Sequence, residues 1–219
     1  MEETIKATQW SGDDAPTPIN PPEVVVRKDS AVISILGSFQ ELSAALGLAR
    51  AHLVEHNLSD LNAMFRDVQR HLYIIKADFA SATADEVVAG KKIPRMSERE
   101  VVVVDGYVKV MEARLGIKPD RFILEGGSTA AASLFLANEV GRRVERLLVS
   151  LKRSLSAEDA HLEPKLTLAQ QYLNHLSYLL YISARVANRT LGVTEETVLT
   201  DAKSGEVVMF WGGMVDKVD

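Results

Sequence analysis

The chain has no cysteine, which excludes disulfides, thiolate nucleophiles, iron–sulfur clusters and cysteine zinc sites, and which fits a reducing compartment. It also lacks any long basic stretch. Its 25 Lys and Arg stand against 30 Asp and Glu, a formal net charge of −5, so the surface has no field suited to neutralising a phosphate backbone. Nucleic acid is not an expected partner. No apolar run approaches the length of a bilayer span, and Met1-Glu2-Glu3 opens no basic region leading into an apolar segment. The chain is therefore expected to be cytoplasmic, neither exported nor membrane-spanning. Histidines number five, at positions 52, 56, 71, 161 and 175. His52 and His56 have the i,i+4 spacing of a ligand pair, but no His-Glu-x-x-His pattern or carboxylate cluster accompanies them. They are read as an exposed helix pair, and no protein-bound metal is expected.

What the chain does have is nearly half apolar residues in 219, enough for one sizeable core and one domain. Pro16, Pro18, Pro21 and Pro22 follow Gly12-Asp13-Asp14, so residues 1–37 form an irregular arm rather than a helix. Val24–Val26 and Ala31–Leu36 read as short extended runs, with strand content small overall. From Phe39 the period becomes helical: Leu42, Ala45, Leu46, Ala49 and Leu53 share one face as far as Asn57. A second helix carries Leu61, Met64, Phe65, Val68, Leu72, Ile75 and Phe79 and fades near Ser81. A loop through Gly90 and Pro94 leads to Ser97 and Glu100, a capping-box pair that opens a third helix, stopped by Gly116. Ser128 caps a fourth, with Leu134, Ala137, Val140, Val144, Leu147, Leu148 and Leu151 inward. The fifth runs from about Pro164 past Arg185. Long amphipathic segments with short joints give an all-α, up-down five-helix bundle over residues 38–191. The tail, 192–219, carries Val207-Val208-Met209-Phe210-Trp211, extended and apolar, and must pack on its own bundle or on a neighbouring subunit.

On residue chemistry alone the polar candidates stay open. Arg142 and Arg146 lie one turn apart and form either an anion site or a solvated, ion-paired face; Glu139 and Arg143 stand at i,i+4, and Glu145 can balance a neighbouring cation. Gly126-Gly127-Ser128 is either an anion-binding helix start or an ordinary helix-opening turn. Asn174 either orients a phosphate or ribose, or bridges packed helices. Phe122 alone reads as a core aromatic, and Lys28 as an exposed lysine.

The run Phe122 to Arg146 decides between them. Phe-Ile-Leu-Glu-Gly-Gly-Ser, followed by Ala-Asn-Glu-Val-Gly-Arg-Arg-Val-Glu-Arg, resembles the Phe-Ile-Leu-Pro-Gly-Gly and Arg-x-x-x-Arg-Arg-x-Glu-Arg signatures of the PduO-type ATP:cob(I)alamin adenosyltransferases. In the same order, Gln40-Glu41-Leu42-Ser43 resembles that family's Asp-Glu-Leu-Asn, Leu72–Ala80 its second helix, and Tyr172–Ser177 its Tyr-Leu-Asn-Arg-Leu-Ser. The likeness covers Lys28 to about Arg189. It implies transfer of the 5′-deoxyadenosyl group of ATP, with Mg2+, to cob(I)alamin, releasing triphosphate, in a homotrimer with sites between subunits. By resemblance, Phe122 sits below the corrin and keeps off the lower cobalt ligand. Arg142, Arg143, Glu145 and Arg146 form the fourth-helix signature and Asn174 the fifth-helix contact. Gly12, Asp13, Thr17 and Lys28 belong to the nucleotide arm. A corrinoid reductase or a cobalamin-dependent enzyme is an implied partner.

The resemblance breaks in places. The family's nucleotide loop, roughly Thr-Arg-Thr-Gly-Asp-x-Gly-x-Thr, becomes Gln9-Trp10-Ser11-Gly12-Asp13-Asp14-Ala15-Pro16-Thr17. Trp10 replaces a cation, Ala15 a glycine, and Pro16 has no amide to donate. Ser34, His175 and Tyr178 stand where the family has glutamate, arginine and aspartate. Gln40 and Asn138 replace an aspartate and an arginine expected to meet across a subunit boundary, and two amides can hydrogen-bond there instead. The alternative to an active transferase is thus an impaired relative that binds corrinoid or nucleotide as carrier or regulator.

Overall fold

The computed structural model describes residues 16–19, 25–81, 87–88, 91–116, 122–157, 160–200, 207–211 and 214–217. In chain order these form β1 (Pro16–Pro18), β2 (Val25–Arg27), α1 (Ala31–Glu55), α2 (Ser59–Phe79), β3 (Val87–Val88), β4 (Lys91–Lys92), α3 (Glu98–Leu115), β5 (Phe122–Ile123), α4 (Thr129–Arg153), α5 (Glu163–Thr190), β6 (Thr197–Thr200), β7 (Val207–Trp211) and β8 (Met214–Lys217). The five-helix bundle expected from periodicity is present. Helices α1 and α4 pack together, α1 also packs on α2, and α5 lies against both α4 and α3.

The largest departure is at the start of α1. Ala31–Leu36, read as extended from its branched residues, is helical, because Ser30 caps it by accepting from the Ile33 amide at 3.4 Å and Ile35 drops into the core. Burial of one apolar stripe outweighs β-propensity. Ile35, Phe39, Leu42, Leu46, Ala49 and Leu53 then repeat at three or four along the buried face. At 25 residues, α1 is long and apolar enough to span a bilayer by length and composition, which corrects the expectation that no such run exists. Here that stripe joins the core of the bundle.

Other boundaries follow their signals. Ser97 and Glu100 pair as expected, with the Ser97 amide and hydroxyl donating to Glu100 Oε2 at 2.9 and 2.8 Å. Gly116, at φ 67°, ends α3 in the left-handed region. Ser128 caps α4 through its hydroxyl, which accepts from the Ala131 amide at 3.2 Å. The described parts of the tail include three extended strands, and these pair with one another and with β5. β5, β6, β7 and β8 make one antiparallel sheet in that order, with Phe122 opposite Val198 and Ile123 opposite Thr197.

His52 and His56 are not an exposed pair. His52 Nδ1 lies 2.6 Å from Ser133 Oγ and His56 Nε2 lies 2.9 Å from Thr129 Oγ1, so the two rings tie the C-terminal end of α1 to the first two turns of α4. Their i,i+4 spacing serves helix packing. Deeper in, His71 on α2 contacts the Tyr172 hydroxyl of α5 at 3.2 Å. The Tyr107 hydroxyl of α3 donates to Asp67 of α2 at 2.8 Å. Burial, then that carboxylate, pushes the Tyr107 pKa up to about 12.

Candidate functional site

A cleft of about 530 Å3 runs between α4 and α5. Arg142, Glu145, Arg146, Val149 and Ser150 line it from α4; Asn174 and Ser177 line it from α5. Spacing of three and four on α4 puts Arg142, Glu145, Arg146 and Val149 on one stripe. Four of the expected site residues therefore meet in one place. The cleft holds two guanidiniums and one carboxylate, a net cationic lining suited to a polyanion. Arg142 makes only a loose pair with Glu139, at 3.8 Å between two well-exposed side chains, and so retains donors for a ligand.

Arg143 does not join them. It is ion-paired with Glu41 of α1, since the next residue on a helix points about 100° around the axis. The expected Glu139–Arg143 pair is accordingly replaced by Glu139 with Arg142 and Glu41 with Arg143. Lys28 is exposed in the turn between β2 and α1, beside an Arg27–Asp29 ion pair at 2.7 Å. Thr17 lies in β1 opposite Val26. Gly12 and Asp13, with the altered positions Trp10 and Ala15, lie outside the described residues.

Phe122 contradicts the reading of a core aromatic: it is 84% exposed on β5. Its neighbour Ile123 is buried, as strand alternation requires. A phenylalanine left this open keeps its apolar surface in contact with water, an unfavourable exposure that a bound apolar surface would relieve.

Gly126-Gly127-Ser128 is a clamped turn rather than an anion cradle. The Ser128 amide donates to Asn188 Oδ1 at 2.9 Å and so is not available to a ligand. The small cleft beside the turn, about 220 Å3, is lined by Glu125, Glu195 and Glu196, whose charge opposes an anion. Among the described residues no group of three or more His, Cys, Asp or Glu is arranged to hold a metal ion.

Two residues of this region were missed in the sequence. Ser177 lines the cationic cleft with a buried Oγ that has no hydrogen-bond partner among the described residues. Asn188 is 1% exposed, and its signal was readable: Tyr172, Leu176, Leu180, Ala184 and Asn188 repeat strictly at four, so an amide falls on an apolar stripe. The altered positions of the fifth-helix motif are also engaged, both with α3. His175 lies 3.7 Å from Asp105, and the Tyr178 hydroxyl donates to Glu112 at 3.0 Å. An aspartate at 178 would face the Glu112 carboxylate. Gln40, expected to meet Asn138 of another subunit, accepts from Lys76 within its own chain. Asn138 is buried, with Oδ1 unpartnered among the described residues.

Against known proteins, the family model described as cobalamin adenosyltransferase matches residues 8–187. This chain belongs to the cobalamin adenosyltransferase family. Among its relatives, the corrinoid adenosyltransferase of Mycobacterium bovis is 31% identical over 180 residues, covering 81% of this chain and 86% of that one. The cobalamin adenosyltransferase of Cupriavidus metallidurans is 32% identical over 167 residues, covering 76% and 80%. Among solved structures, a variant PduO-type ATP:corrinoid adenosyltransferase from Lactobacillus reuteri, complexed with cobalamin and ATP, superposes with a TM-score of 0.71. It is 20% identical and covers 98% of this chain and all of that one, a likeness of fold. The family's fold is therefore the bundle described above, and the family match includes the altered arm.

Proposed function

We propose that this protein is an ATP:corrinoid adenosyltransferase, moving the 5′-deoxyadenosyl group of ATP to cob(I)alamin and releasing triphosphate. The observation that carries this reading is the meeting of Arg142, Arg146, Glu145 and Asn174 in one cationic cleft. Helix spacing accounts for the three α4 residues sharing a stripe; the placing of Asn174 of α5 in the same cleft is what the structure adds.

In the reaction a cobalt–carbon bond forms at C5′ as the C5′–O bond breaks, and the electron pair of that bond leaves with triphosphate. The corrinoid substrate supplies the nucleophile. The chain's residues hold the reactants and receive the charge. Arg142 and Arg146 donate to the triphosphate as negative charge accumulates on it, in a cleft whose donors are already in place. Glu145, on the same stripe, moderates the positive charge of the cleft. Asn174 and the unpartnered Ser177 hydroxyl offer neutral hydrogen bonds to ribose or phosphate. Phe122 presents an apolar face to the corrinoid and excludes a ligand from the lower side of cobalt. Gly12, Asp13, Thr17 and Lys28 supply the arm's part of the nucleotide site, and Mg2+ arrives with ATP, held largely by phosphate oxygens and water.

The same reading takes the chain as one catalytic domain, cytoplasmic and homotrimeric, with a reductase or a cobalamin-dependent enzyme as its protein partner. Light scattering tests the trimer: a mass three times that of the chain is expected, and a monomeric mass overturns it. Anaerobic assay of cob(I)alamin with ATP and magnesium tests the activity. Adenosylcobalamin and triphosphate are expected in equal amounts; no product from folded protein with verified Co(I) favours the carrier reading.

A further inference from the structure

Asn188 occupies the last turn of α5 and directs its whole amide at the turn between β5 and α4. Its Oδ1 accepts from the Ser128 amide at 2.9 Å and from the Ser128 hydroxyl at 3.0 Å, while its Nδ2 donates to the Gly126 carbonyl at 2.9 Å. Gly127, between them, has φ 95°, and a Cβ built there would lie 2.5 Å from Asn188 Oδ1. The fit requires an amide on one side and a glycine on the other. An alanine at 188 would strand the Gly126 carbonyl, and a carboxylate would face it with a second acceptor.

One turn earlier on α5, Arg185 is buried and pairs with Glu195 through Nε at 2.9 Å and Nη2 at 2.8 Å. Glu195 precedes Glu196, whose carbonyl accepts from the Leu124 amide at 2.9 Å. The exit of β5 and the approach to β6 are thus fastened to the same end of α5. Between the two fastenings lies a ladder of only two residue pairs, Phe122–Val198 and Ile123–Thr197. β6 is held in turn by β7 in the four-stranded sheet, but β5 is joined to that sheet by these two pairs alone, and it carries an 84% exposed phenylalanine.

We propose that Asn188 is a positioning residue for the corrinoid step, acting through the Gly126–Ser128 turn to fix how β5 presents Phe122. This rests on the reading of Phe122 as the corrinoid contact. Contacts that align reactants lose effect on displacements of the order of 1 Å, and the three Asn188 hydrogen bonds add to the restraints on the turn. The cleft proposed to take ATP includes neither Asn188 nor the Gly126–Ser128 turn, so the effect is expected on the corrinoid rather than on ATP.

The test uses the full chain as wild type, Asn188→Ala, Phe122→Ala and the double variant, with steady-state kinetics in both substrates and amide hydrogen exchange. Asn188→Ala is expected to lower kcat/KM for cob(I)alamin by about tenfold while leaving KM for ATP within about twofold of wild type. In the Phe122→Ala background it adds no further loss, because one residue acts through the other. Exchange at the Leu124 and Ser128 amides quickens, while the buried turns of α1 stay protected. An equal loss in both backgrounds, a matching rise in KM for ATP, or unchanged exchange at Leu124 each overturns the proposal. If Asn188→Ala does not fold, Asn188→Asp, which keeps the acceptor for Ser128 and loses the donor to Gly126, is read the same way with a smaller expected loss. Should Phe122→Ala alone leave corrinoid kinetics unchanged, the corrinoid reading of Phe122 fails and the positioning role falls with it. That outcome is seen in the single variant and is distinct from failure of the clamp.

Discussion

Arg143 is ion-paired with Glu41 of α1, while the adjacent Arg142 opens over the cleft between α4 and α5. Two neighbouring arginines of one motif thus serve different faces of one helix. Arg142→Ala is expected to cut turnover by about 10²–10³-fold, the size of effect seen when one preorganised donor to developing negative charge is lost. Its thermal midpoint should stay near wild type, since the side chain is exposed. Arg143→Ala should leave turnover within about twofold, and its pair with Glu41, between half-exposed groups, contributes on the order of 0–1 kcal/mol to stability. Steady-state kinetics with paired melting curves checks both; equal losses of activity would mean that the two arginines share the ligand.

Phe122→Ala separates stability from function. With the ring 84% exposed, its removal should change stability by no more than about 0.5 kcal/mol. Turnover of cob(I)alamin should nevertheless fall at unchanged KM for ATP. A melting point lowered by several degrees would show that the ring packs on something in the assembled protein instead.

Gly127→Ala should be severely destabilising for a local reason. The left-handed φ of 95° and the 2.5 Å approach to Asn188 act together, and such strain plus overpacking costs roughly 2–4 kcal/mol. Gly126→Ala, where a Cβ meets nothing within 4 Å, should be far milder. Chemical denaturation of the two variants makes the comparison, and equal midpoints would contradict the clamped turn.

Stability should fall in mild acid through His71. Burial lowers its pKa below the usual imidazole value, against the opposing pull of Asp67 and Glu100 and with help from Arg99. Between the lowered folded value and about 6.5, the unfolded chain binds a proton that the native chain refuses. This residue's effect is therefore absent above that window and grows as pH falls through it. Thermal midpoints of wild type and His71→Gln from neutral to mildly acidic pH should diverge, with the variant showing the flatter dependence. Parallel profiles would remove His71 as the cause.

Much of the fold was legible because its signals are local. The Ser97–Glu100 box, Gly116 and the Ser128 cap each mark a boundary where the structure has one. Ala31–Leu36 was misread because branched residues suggest a strand when their long-range burial is unknown; only the packing of Ile35 and Phe39 settles the matter. Within the site, Arg142, Glu145 and Arg146 were legible from spacing, and Asn174 from its motif. The orientation of Arg143 was not, since Glu41 lies on another helix about a hundred positions earlier. Phe122 shows the limit most clearly: composition places an aromatic inside, whereas strand alternation, with Ile123 inward, leaves it exposed. Asn188 lacked a motif but had a period, and its role depended on a turn sixty residues away.

The measurement that bears most directly on the central claim is anaerobic incubation of the purified chain with cob(I)alamin, ATP and magnesium, following adenosylcobalamin and triphosphate together, with Arg142→Ala alongside. The account predicts equimolar formation of both products by the wild-type protein and near-complete loss in the folded variant. Binding of ATP and corrinoid without either product, from folded protein with Co(I) verified, would contradict it.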